Sequence, residues 1–393
     1  MFGFRPGLST QDVFLQLKHH ILDSPTGDTE AIRAVNLTKA CDNVTHAAVL
    51  EGLHSLGVGQ RMYSYIRGFL SQRTATLTLG DHRLSRVSLG AQGTPQGAVL
   101  SAILFNIAIL QLPNQLSQVS DIHFSFYADD ITVWAYRGND ADMEHNLQSA
   151  FKIIDSYVHV HGLACSPSKS EPFLYHPRPH DPVSRPISLM LGNHPIPLVS
   201  KIRILGLALH FHGAHGDTTQ ALPTQTQQAT RLIWRVAHLH AGLRDRNTLR
   251  LTQAYITCRT AYAFPYLPLK QEWDHINALF RSCTKVALCL SPSTSTARLL
   301  NLDTQNTFEE LAEATLTAQL TRLSGTATGR TLLCQLGISL ITHSIEAAQP
   351  CLQTCIPILS FPPSRRICTP STTGNAGQPA PEPYTSSTAT VLR

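Results

Sequence analysis

Two adjacent aspartates, Asp129 and Asp130, interrupt an apolar, β-prone stretch at residues 126–134. Residues on both sides favour strands, and two carboxylates inside a buried strand pair are strongly unfavourable unless a cation or a hydrogen-bond donor meets them. The pattern therefore predicts a β-hairpin with both acids at its turn. Two neighbouring carboxylates suit Mg²⁺ (or Mn²⁺), which leaves its other coordination positions to water and phosphate. An ordinary Asp-containing turn is the alternative that this stretch alone leaves open.

A loop rich in glycine and proline lies upstream and leads into an apolar segment. Its residues are Gly93, Thr94, Pro95, Gln96 and Gly97. Glycines allow the backbone to come close to a ligand, and a loop that ends at a helix N-terminus offers free N–H groups. The loop therefore predicts a contact site for a phosphate or a template strand. The segment 99–112 that follows is too short to span a bilayer, so we interpret it as a buried helix and expect no membrane partner.

Several further elements must position these residues. Residues 31–37 are predicted to form a strand, and residues 38–44 a turn that leads into a helix. A loop at residues 162–171 presents one lysine, Lys169. Residues 201–209 alternate like a strand, and Gly206 within them permits close approach of another backbone. A shorter strand and an amphipathic helix are predicted at residues 74–79 and 143–161.

Composition places the chain among soluble globular proteins. It has 393 residues, of which 42% are hydrophobic, enough for two or three domains. The nine cysteines are odd in number and include no C-x-x-C pair, so neither a zinc site nor a disulfide framework is predicted. We therefore expect a reducing, intracellular location that is nuclear, cytoplasmic or both. The sequence does not indicate an oligomeric state.

Positive charge is concentrated in one part of the chain. The formal net charge is +5, yet residues 201–300 carry twelve Lys or Arg against four acids. Such a surplus fits a surface that binds a phosphate backbone, and an ordinary solvated helical face is the alternative. From about residue 225 the pattern predicts helices, the first of which has its apolar face formed by Leu232, Ile233, Val236, Leu239 and Leu243.

The C-terminal part of the sequence contains one further helix signal and then loses its pattern. Thr307 and Glu310 form a capping-box signature, and the helix that they open is predicted to stop at Gly325. Beyond about residue 360 the chain is rich in Pro, Ser, Thr and Gly, which predicts disorder.

Taken together, these motifs resemble the reverse transcriptase domain of non-LTR (LINE-type) retrotransposons over roughly residues 1–340. The most specific motifs are residues 127–130, with the sequence Tyr-Ala-Asp-Asp, and residues 93–97, with the sequence Gly-Thr-Pro-Gln-Gly. Residues 2–6 resemble the fingers motif of the family. Residues 39–44 and 166–171 resemble its palm and lysine motifs, and Leu205 and Gly206 its primer grip.

The resemblance implies an α+β fold, the right-hand polymerase architecture. Partial fingers and the palm would occupy residues 1–220, a helical thumb or connection residues 221–345, and a disordered low-complexity tail residues 346–393. The implied partners are an RNA template, a DNA primer and dNTPs.

The resemblance also implies a reaction and a set of residues for it. The reaction is RNA-directed DNA synthesis by a two-metal mechanism, with Asp129 and Asp130 as metal ligands. Lys169 would donate a proton to pyrophosphate, and Arg5 would contact the phosphates of the nucleotide. Residues implied in nucleotide or template binding are Cys41, Gly93, Pro95, Gln96 and Gly97.

The sequence departs from the family at a catalytic position. The family has a metal-binding aspartate six residues before the position of Asp42, where this chain has Asn36. An amide offers a neutral oxygen without charge, so we expect a rate loss on the order of 10³-fold or more. Asp42 lies beyond the predicted strand, so we expect it to serve the turn or the helix N-terminus instead. In addition, Cys41 replaces a large aromatic residue that excludes a ribose 2′-hydroxyl, and Ala102 replaces a proline.

These departures favour a truncated, degenerate element copy and leave two hypotheses. The first is a reverse transcriptase with impaired activity, and the second is a catalytically inactive remnant that still binds nucleic acid. Other candidate sites are weaker. We interpret His210, His212, His215 and Asp217 as a polar loop. We expect the aromatic residues Phe124, Phe126 and Trp134 to be core residues and not base-stacking platforms.

Overall fold

The computed structural model describes residues 1–23, 30–166, 169–175, 189–191, 194–196, 198–211, 216–237, 242–269, 272–300 and 306–338. Strands and helices are mixed along the chain, which confirms the α+β class. The expected disordered tail, residues 346–393, lies outside the described residues.

A four-stranded antiparallel sheet forms the centre of the fold, with the strand order β6-β7-β1-β8. Its strands are β1 (Glu30–Asn36), β6 (His123–Tyr127), β7 (Asp130–Ala135) and β8 (Glu171–Tyr175). The predicted strand at residues 31–37 and the predicted acidic hairpin are both confirmed. Only Asp129 lies in the hairpin turn, because Asp130 is already the first residue of β7.

Both faces of this sheet are covered. On one face, Ala31, Val35 and Val133 pack with helices α3 (His46–Ser55), α5 (Val99–Ala108) and α7 (Asp140–Val160). On the other face, Ile32 and Trp134 pack with α1 (Thr10–Leu17) and with helices from the C-terminal half. Successive residues of a strand point to opposite faces, so β1 contributes to both clusters.

Smaller elements surround the first face. They are the helices α2 (Ala40–Asn43), α4 (Gln60–Leu70) and α6 (Leu112–Leu116), and the short strands β2 (Thr74–Ala75), β3 (Thr78–Leu79), β4 (His82–Arg83) and β5 (Val87–Ser88). The predicted strand at residues 74–79 is thus divided into β2 and β3, which pair with β5 and β4 in an exposed ribbon.

The apolar segment 99–112 is only partly buried. Leu104, Phe105 and Ala108 point into the core, whereas Val99 and Ile103 are exposed. Among the described residues, Val99–Leu116 is one stretch whose length and hydropathy would suit a membrane span. It is divided into α5 and α6, and a core helix of a soluble protein meets the same criteria.

Two hairpins follow β8. They are formed by β9 (Leu189–Leu191) with β10 (His194–Ile196) and by β11 (Lys201–Ile204) with β12 (Leu207–His210). The prediction of a single strand at residues 201–209 was therefore wrong. Leu205 and Gly206, with φ of 49° and 101°, form a two-residue turn inside it. Positive φ at both central residues is the geometry that tight hairpins favour.

The C-terminal half is helical. Its helices are α8 (Gly216–Val236), α9 (Asp245–Thr252), α10 (Cys258–Ala263), α11 (Trp273–Ala287), α12 (Thr296–Leu300), α13 (Phe308–Ser324) and α14 (Ala327–Gln335). The capping box at Thr307 is present, and α13 ends before Gly325 as predicted.

The predicted apolar face of the first C-terminal helix is confirmed at Ile233, which is buried, and was wrong at three other positions, while Leu239 lies outside the described residues. Leu232 and Val236 of α8 are exposed, and Leu243 lies beyond the helix and is also exposed. The buried stripe of α8 is instead formed by Leu222, Thr226, Ile233 and Ala237 at its end. Successive members are four, seven and four residues apart, which places them on one side of the helix.

A buried carboxylate links the two ends of the described chain. Asp12 of α1 is 0% exposed and accepts hydrogen bonds from Gln319 Nε2 at 2.9 Å and from the guanidinium of Arg322, whose nearest nitrogen is 2.5 Å away. The backbone N–H of Ser9 also donates to Asp12, at 2.7 Å. The oxygen of Gln319 accepts from the hydroxyl of buried Tyr266 at 2.7 Å. A buried charge requires such partners, so this network fixes α1 on α13.

Candidate active site

The tip of the β6–β7 hairpin holds the two aspartates. Tyr127 pairs with Asp130, so the turn contains only Ala128 and Asp129. Ala128 has φ of 55°, a left-handed conformation that costs a non-glycine residue about 1 kcal/mol or more. The backbone carbonyl of Asp129 accepts the N–H of Leu37 at 3.3 Å, which ties the tip to the end of β1. Both carboxylates are half-buried at this corner of the sheet.

Asn36 is the last residue of β1 and lies directly opposite Asp130. Its side-chain Nδ2 donates a hydrogen bond to Asp130 Oδ1 at 2.9 Å. Position 36, which the family resemblance indicated as a catalytic position, therefore lies beside one of the two carboxylates. In this arrangement the amide is a donor to Asp130, and its oxygen is not directed at that carboxylate.

The surroundings of Asp130 act on the pKa of its carboxyl in both directions, and the net effect is an increase. Burial raises the pKa of the Asp130 carboxyl, and the nearby charge of Asp129 raises it further. The hydrogen bond from Asn36 and the positive charge of Lys169 act in the opposite direction on this pKa. Lys169 is exposed, and its backbone N–H donates to the Ser166 carbonyl at 3.2 Å. The structure thus brings Lys169 within electrostatic reach of the acidic tip.

Cys41 and Asp42 lie in α2, directly after the turn that follows β1. Burial raises the pKa of the Cys41 thiol, and the charges of Asp129 and Asp42 raise it further. Cys41 is therefore close to the acidic tip and is held in its neutral form. Asp42 is exposed in the first turn of α2, as the sequence predicted, and a position there is favourable for an acid.

The glycine-rich loop is fixed against α2. Thr94 N–H donates to the Cys41 carbonyl, and Gly93 N–H donates to the Val44 carbonyl, both at 2.8 Å. Gly93 has φ of 79°, and a Cβ at this position would lie 2.8 Å from the Asp42 carbonyl oxygen. Only glycine meets both conditions without strain.

The exposed part of the same loop reaches Asp42. Gln96 Nε2 donates to Asp42 Oδ1 at 2.9 Å. Pro95 and Gly97 form a turn closed by the Ala98 N–H, which donates to the Pro95 carbonyl at 3.1 Å, and Gly97 has φ of 92°. No atom lies within 4 Å of a Cβ built on Gly97, so this glycine serves the turn and not a close approach.

The N-terminal loop supports the acidic tip from the other side. Phe2 N–H donates to the Phe126 carbonyl at 2.7 Å, and a Cβ on Gly3 would lie 2.8 Å from the Ala128 nitrogen. Asn106 of α5 donates to the Gly3 carbonyl at 2.8 Å. Arg5 is exposed in the turn that follows, and the structure shows no contact between it and the carboxylates.

Leu205 and Gly206 form the β11–β12 turn and are held by α10. The hydroxyl of Tyr262 lies 2.9 Å from the Leu205 carbonyl oxygen and 2.7 Å from the Thr10 hydroxyl. The ring of Tyr262 would lie 3.1 Å from a Cβ on Gly206. No sequence signal indicated Tyr262, because it lies 57 residues from Leu205.

The donor set at the tip suits one divalent ion better than two. Mg²⁺ typically takes one or two carboxylates together with waters and phosphate oxygens, which Asp129 and Asp130 can provide. Across the described residues no group of three or more His, Cys, Asp or Glu comes together. The Asn36 hydrogen bond also occupies one lone pair of Asp130, so an ion at that oxygen must displace it.

The other sequence candidates are not part of this site. Trp134 is buried and donates through Nε1 to His20 Nδ1 at 3.2 Å, so it is a core residue as expected. Phe126 is buried and Phe124 packs against the same core. His210 is buried at the end of β12, whereas His212 and His215 lie outside the described residues.

Comparison with known proteins identifies the family. Residues 1–209 match the family model described as Reverse transcriptase (RNA-dependent DNA polymerase). The chain belongs to this family.

Curated relatives come from mobile genetic elements. The Pol polyprotein of the type-1 retrotransposable element R2 from Popillia japonica is 26% identical over 145 residues, 36% of this chain and 20% of the relative. The probable RNA-directed DNA polymerase from transposon BS of Drosophila melanogaster is 25% identical over 268 residues, 65% of this chain and 28% of the relative. The mobile element jockey polymerase, also from Drosophila melanogaster, is 27% identical over 34% of this chain and 15% of its own length. The predicted resemblance to non-LTR retrotransposon enzymes is confirmed, and the chain spans less than a third of each of these relatives.

Telomerases are among the solved structures that are similar to the chain. The structure from Candida albicans is 14% identical and has a TM-score of 0.36. The matched region is 85% of this chain and 53% of the telomerase chain. A structure from Candida tropicalis is 10% identical and has a TM-score of 0.38, and the matched region is 84% of this chain and 52% of the telomerase chain.

Proposed function

We propose that this chain is the palm and thumb of an RNA-directed DNA polymerase that extends a DNA primer on an RNA template with dNTPs. The acidic hairpin carries the proposal, because Asp129 and Asp130 lie at the corner of the palm sheet, close to Cys41 and α2. In this proposal, residues 1–220 are partial fingers and palm, residues 221–345 are the thumb, and residues 346–393 are a tail.

The proposed chemistry requires a divalent metal, Mg²⁺ or Mn²⁺, held by Asp129 and Asp130. When bound, it supplies charge neutralisation of phosphate and lowers the pKa of the primer hydroxyl. The rest is the work of the chain itself. Lys169, whose charge already acts on Asp130, would protonate the pyrophosphate leaving group, and Gln96 would orient template or nucleotide from its position on Asp42.

The remaining proposed roles rest on the family resemblance and on turn geometry. The turn at Leu205 and Gly206, held by Tyr262, would support the primer strand. Gly93, Pro95 and Gly97 would shape the loop that faces template and nucleotide, and Cys41 would lie beneath the sugar. Arg5 would contact nucleotide phosphates from its exposed turn.

We further propose that Asn36 impairs catalysis in this copy. It removes one negative charge from the metal site and donates a hydrogen bond to Asp130, so it competes with a metal ion for the same oxygen. Loss of one ligand of the catalytic metals corresponds to a rate loss on the order of 10³-fold or more.

A catalytically inactive nucleic-acid-binding remnant is the second candidate. The same hydrogen bond favours it, because Asn36 stabilises the corner without a metal. Arginines exposed on the C-terminal helices would remain able to bind a phosphate backbone in such a remnant.

Primer extension on an RNA template distinguishes the two candidates. We expect weak or no extension by the natural sequence and a gain on the order of 10³-fold in the Asn36→Asp variant. Asn36→Asp combined with Asp129→Asn is the matched control and should lose that gain. Inactivity of the Asn36→Asp variant, with duplex binding retained, would favour the remnant.

A further inference from the structure

The C-terminal end of α8 exposes an aromatic ring between arginines. Trp234 is 63% exposed, and Arg231 and Arg235 of the same helix are also exposed. Residues three and four apart adjoin on a helix surface, so Arg231 lies beside both Trp234 and Arg235. These three side chains form one continuous patch.

This patch is not required for packing of the helix. The buried stripe of α8 faces the neighbouring helices α9 and α11, and it includes Thr226 and Ile233 but not Trp234. Thr230, which lies between Thr226 and Ile233 along the helix, contacts Cys283 of α11 at 3.3 Å through its hydroxyl. The ring of Trp234 is therefore free to contact a ligand, with arginines on either side of it in the sequence.

Neighbouring segments extend the patch. The N–H of Leu243 donates to the Val236 carbonyl at 2.8 Å, which brings the residues before α9 next to the end of α8. Arg244 directly precedes α9 and Arg246 lies in its first turn, and both are exposed. Tyr255 is 63% exposed in the π-helix Gln253–Thr257 that follows α9. Between residues 231 and 271 the sequence contains a single acid, Asp245.

The combination of rings and arginines selects the ligand. An apolar protein surface would cover Trp234 but would leave the arginines without counter-charges. A duplex offers phosphates, but its bases are stacked inside and cannot cover the ring. A single strand offers phosphates for the arginines and a free base for Trp234. We propose that the end of α8 is a stacking platform for unpaired bases of single-stranded nucleic acid.

This proposal rests on the proposed function only in its choice of nucleic acid as the ligand. Binding at the platform requires neither a metal ion nor catalysis. Every base has a π-face, so RNA and DNA strands should bind alike. Trp134 cannot serve in this way, because its ring is buried in the core.

Binding of fluorescent oligonucleotides tests the proposal. We expect Trp234→Leu to weaken binding of a single-stranded RNA or DNA about tenfold and to change binding of a duplex of equal length by less than about twofold. Trp234→Phe, which keeps a ring, should retain most of the affinity. Leu232→Ala, at an equally exposed neighbouring position, is the matched control and should have no effect.

Three outcomes would overturn the platform. These are an equal loss for duplex and single strand, no loss for either, or an equal loss in the Leu232→Ala control, which would show that the effect is not specific to the aromatic ring. Circular dichroism of each variant shows that it is folded. Failure of the Asn36→Asp chain to extend a primer, with the Trp234 effect intact, rejects only the proposed polymerase function.

Discussion

At position 36, an amide in place of a carboxylate changes the sign of its interaction with Asp130. A carboxylate there would repel Asp130 across the β1–β7 pair, whereas Asn36 donates a hydrogen bond to it. A hydrogen bond to a charged acceptor stabilises by about 1.5–3 kcal/mol. The residue that weakens the proposed catalysis therefore stabilises the metal-free fold.

This exchange predicts opposite effects on stability with and without metal. Asn36→Asp should lower the metal-free free energy of unfolding by about 1–3 kcal/mol, because the hydrogen bond is replaced by repulsion. Saturating Mg²⁺ should recover the loss in the variant and change the natural chain little. Thermal unfolding with Mg²⁺ and with a chelator measures both. Equal effects of Mg²⁺ on the two chains would contradict the assignment of position 36 to the metal site.

Gly93 should tolerate no side chain. In Gly93→Ala, alanine would have to adopt a positive φ, and its Cβ would clash with the Asp42 carbonyl. We therefore expect the free energy of unfolding in urea to fall by about 2–3 kcal/mol. Gly97→Ala is the matched control, since its φ is also positive but the space around it is open. A loss of only about 1 kcal/mol is expected there. Similar losses in both would show that the close approach is unimportant.

His20 should make the fold sensitive to acid. The pKa of His20 is lowered to about 3, mainly by burial and in part by the neighbouring His123, His19 and Arg137. Its Nδ1 accepts the indole N–H of Trp134, which requires the neutral ring. Because the folded pKa lies below the unfolded value, protonation favours the unfolded chain, and stability falls as pH decreases below about 6.5.

Stability measured between pH 7 and pH 4.5 checks this expectation. The natural chain should lose up to about 2–3 kcal/mol from this group. His20→Gln keeps an acceptor for Trp134 and should lose less over the same range. The same substitution at exposed His159 should leave the pH profile unchanged. A profile of His20→Gln that matches the natural one would reject the role of His20.

At the scale of elements, the sequence predicted those parts whose signal is local. The strand at β1, the acidic hairpin and the capped helix α13 follow from alternation, turn residues and a capping box within a few positions. The family resemblance also indicated position 36, which the sheet pairs with Asp130.

Two elements were mispredicted for physical reasons. A two-residue turn at Leu205 and Gly206 does not interrupt a period of two, so the hairpin β11–β12 has the pattern of one strand. In α8, Leu232 and Val236 suggested an apolar face, but the helix buries the smaller side chains Thr226 and Ala237. Packing against α9 and α11 decides which face of α8 is buried, and the sequence of α8 alone does not specify that packing.

Contacts that join distant positions could not be predicted. The support of the acidic tip by Gly3 and Asn106 and of the β11–β12 turn by Tyr262 depends on elements far apart in the chain. Side-chain hydrogen bonds of this kind have no periodic signature.

The contact between α1 and α13 should be a major source of stability. Arg322→Met leaves the carboxylate of Asp12 buried without its main counter-charge, and we expect a loss of about 3–5 kcal/mol. Asp12→Asn combined with Arg322→Met removes both charges and should recover part of it. Urea unfolding of the two variants gives the values. A double variant no more stable than the single one would show that charge burial is not the cause.

At the scale of the whole molecule, uneven charge predicts salt-sensitive binding. Residues 201–300 have a surplus of eight positive charges in a chain whose net charge is +5. Phosphate contacts release counterions, so duplex affinity should fall by about 10³-fold or more between 50 and 200 mM salt if six or more contacts form. Fluorescence anisotropy over a salt series measures the slope. A shallow slope would argue against a basic binding surface in the C-terminal half.

The buried Asp12 also sets an order of events during synthesis. Its partner Arg322 is 310 residues away, so the carboxylate stays in water until nearly all of the described chain has left the ribosome. At about 5–20 residues per second, that delay is roughly 15–60 s. The central sheet therefore has all its strands long before Asp12 of α1 gains its charge partner. A nascent chain interrupted before codon 322 would carry all four strands of that sheet, with the Asp12 carboxylate still lacking Arg322.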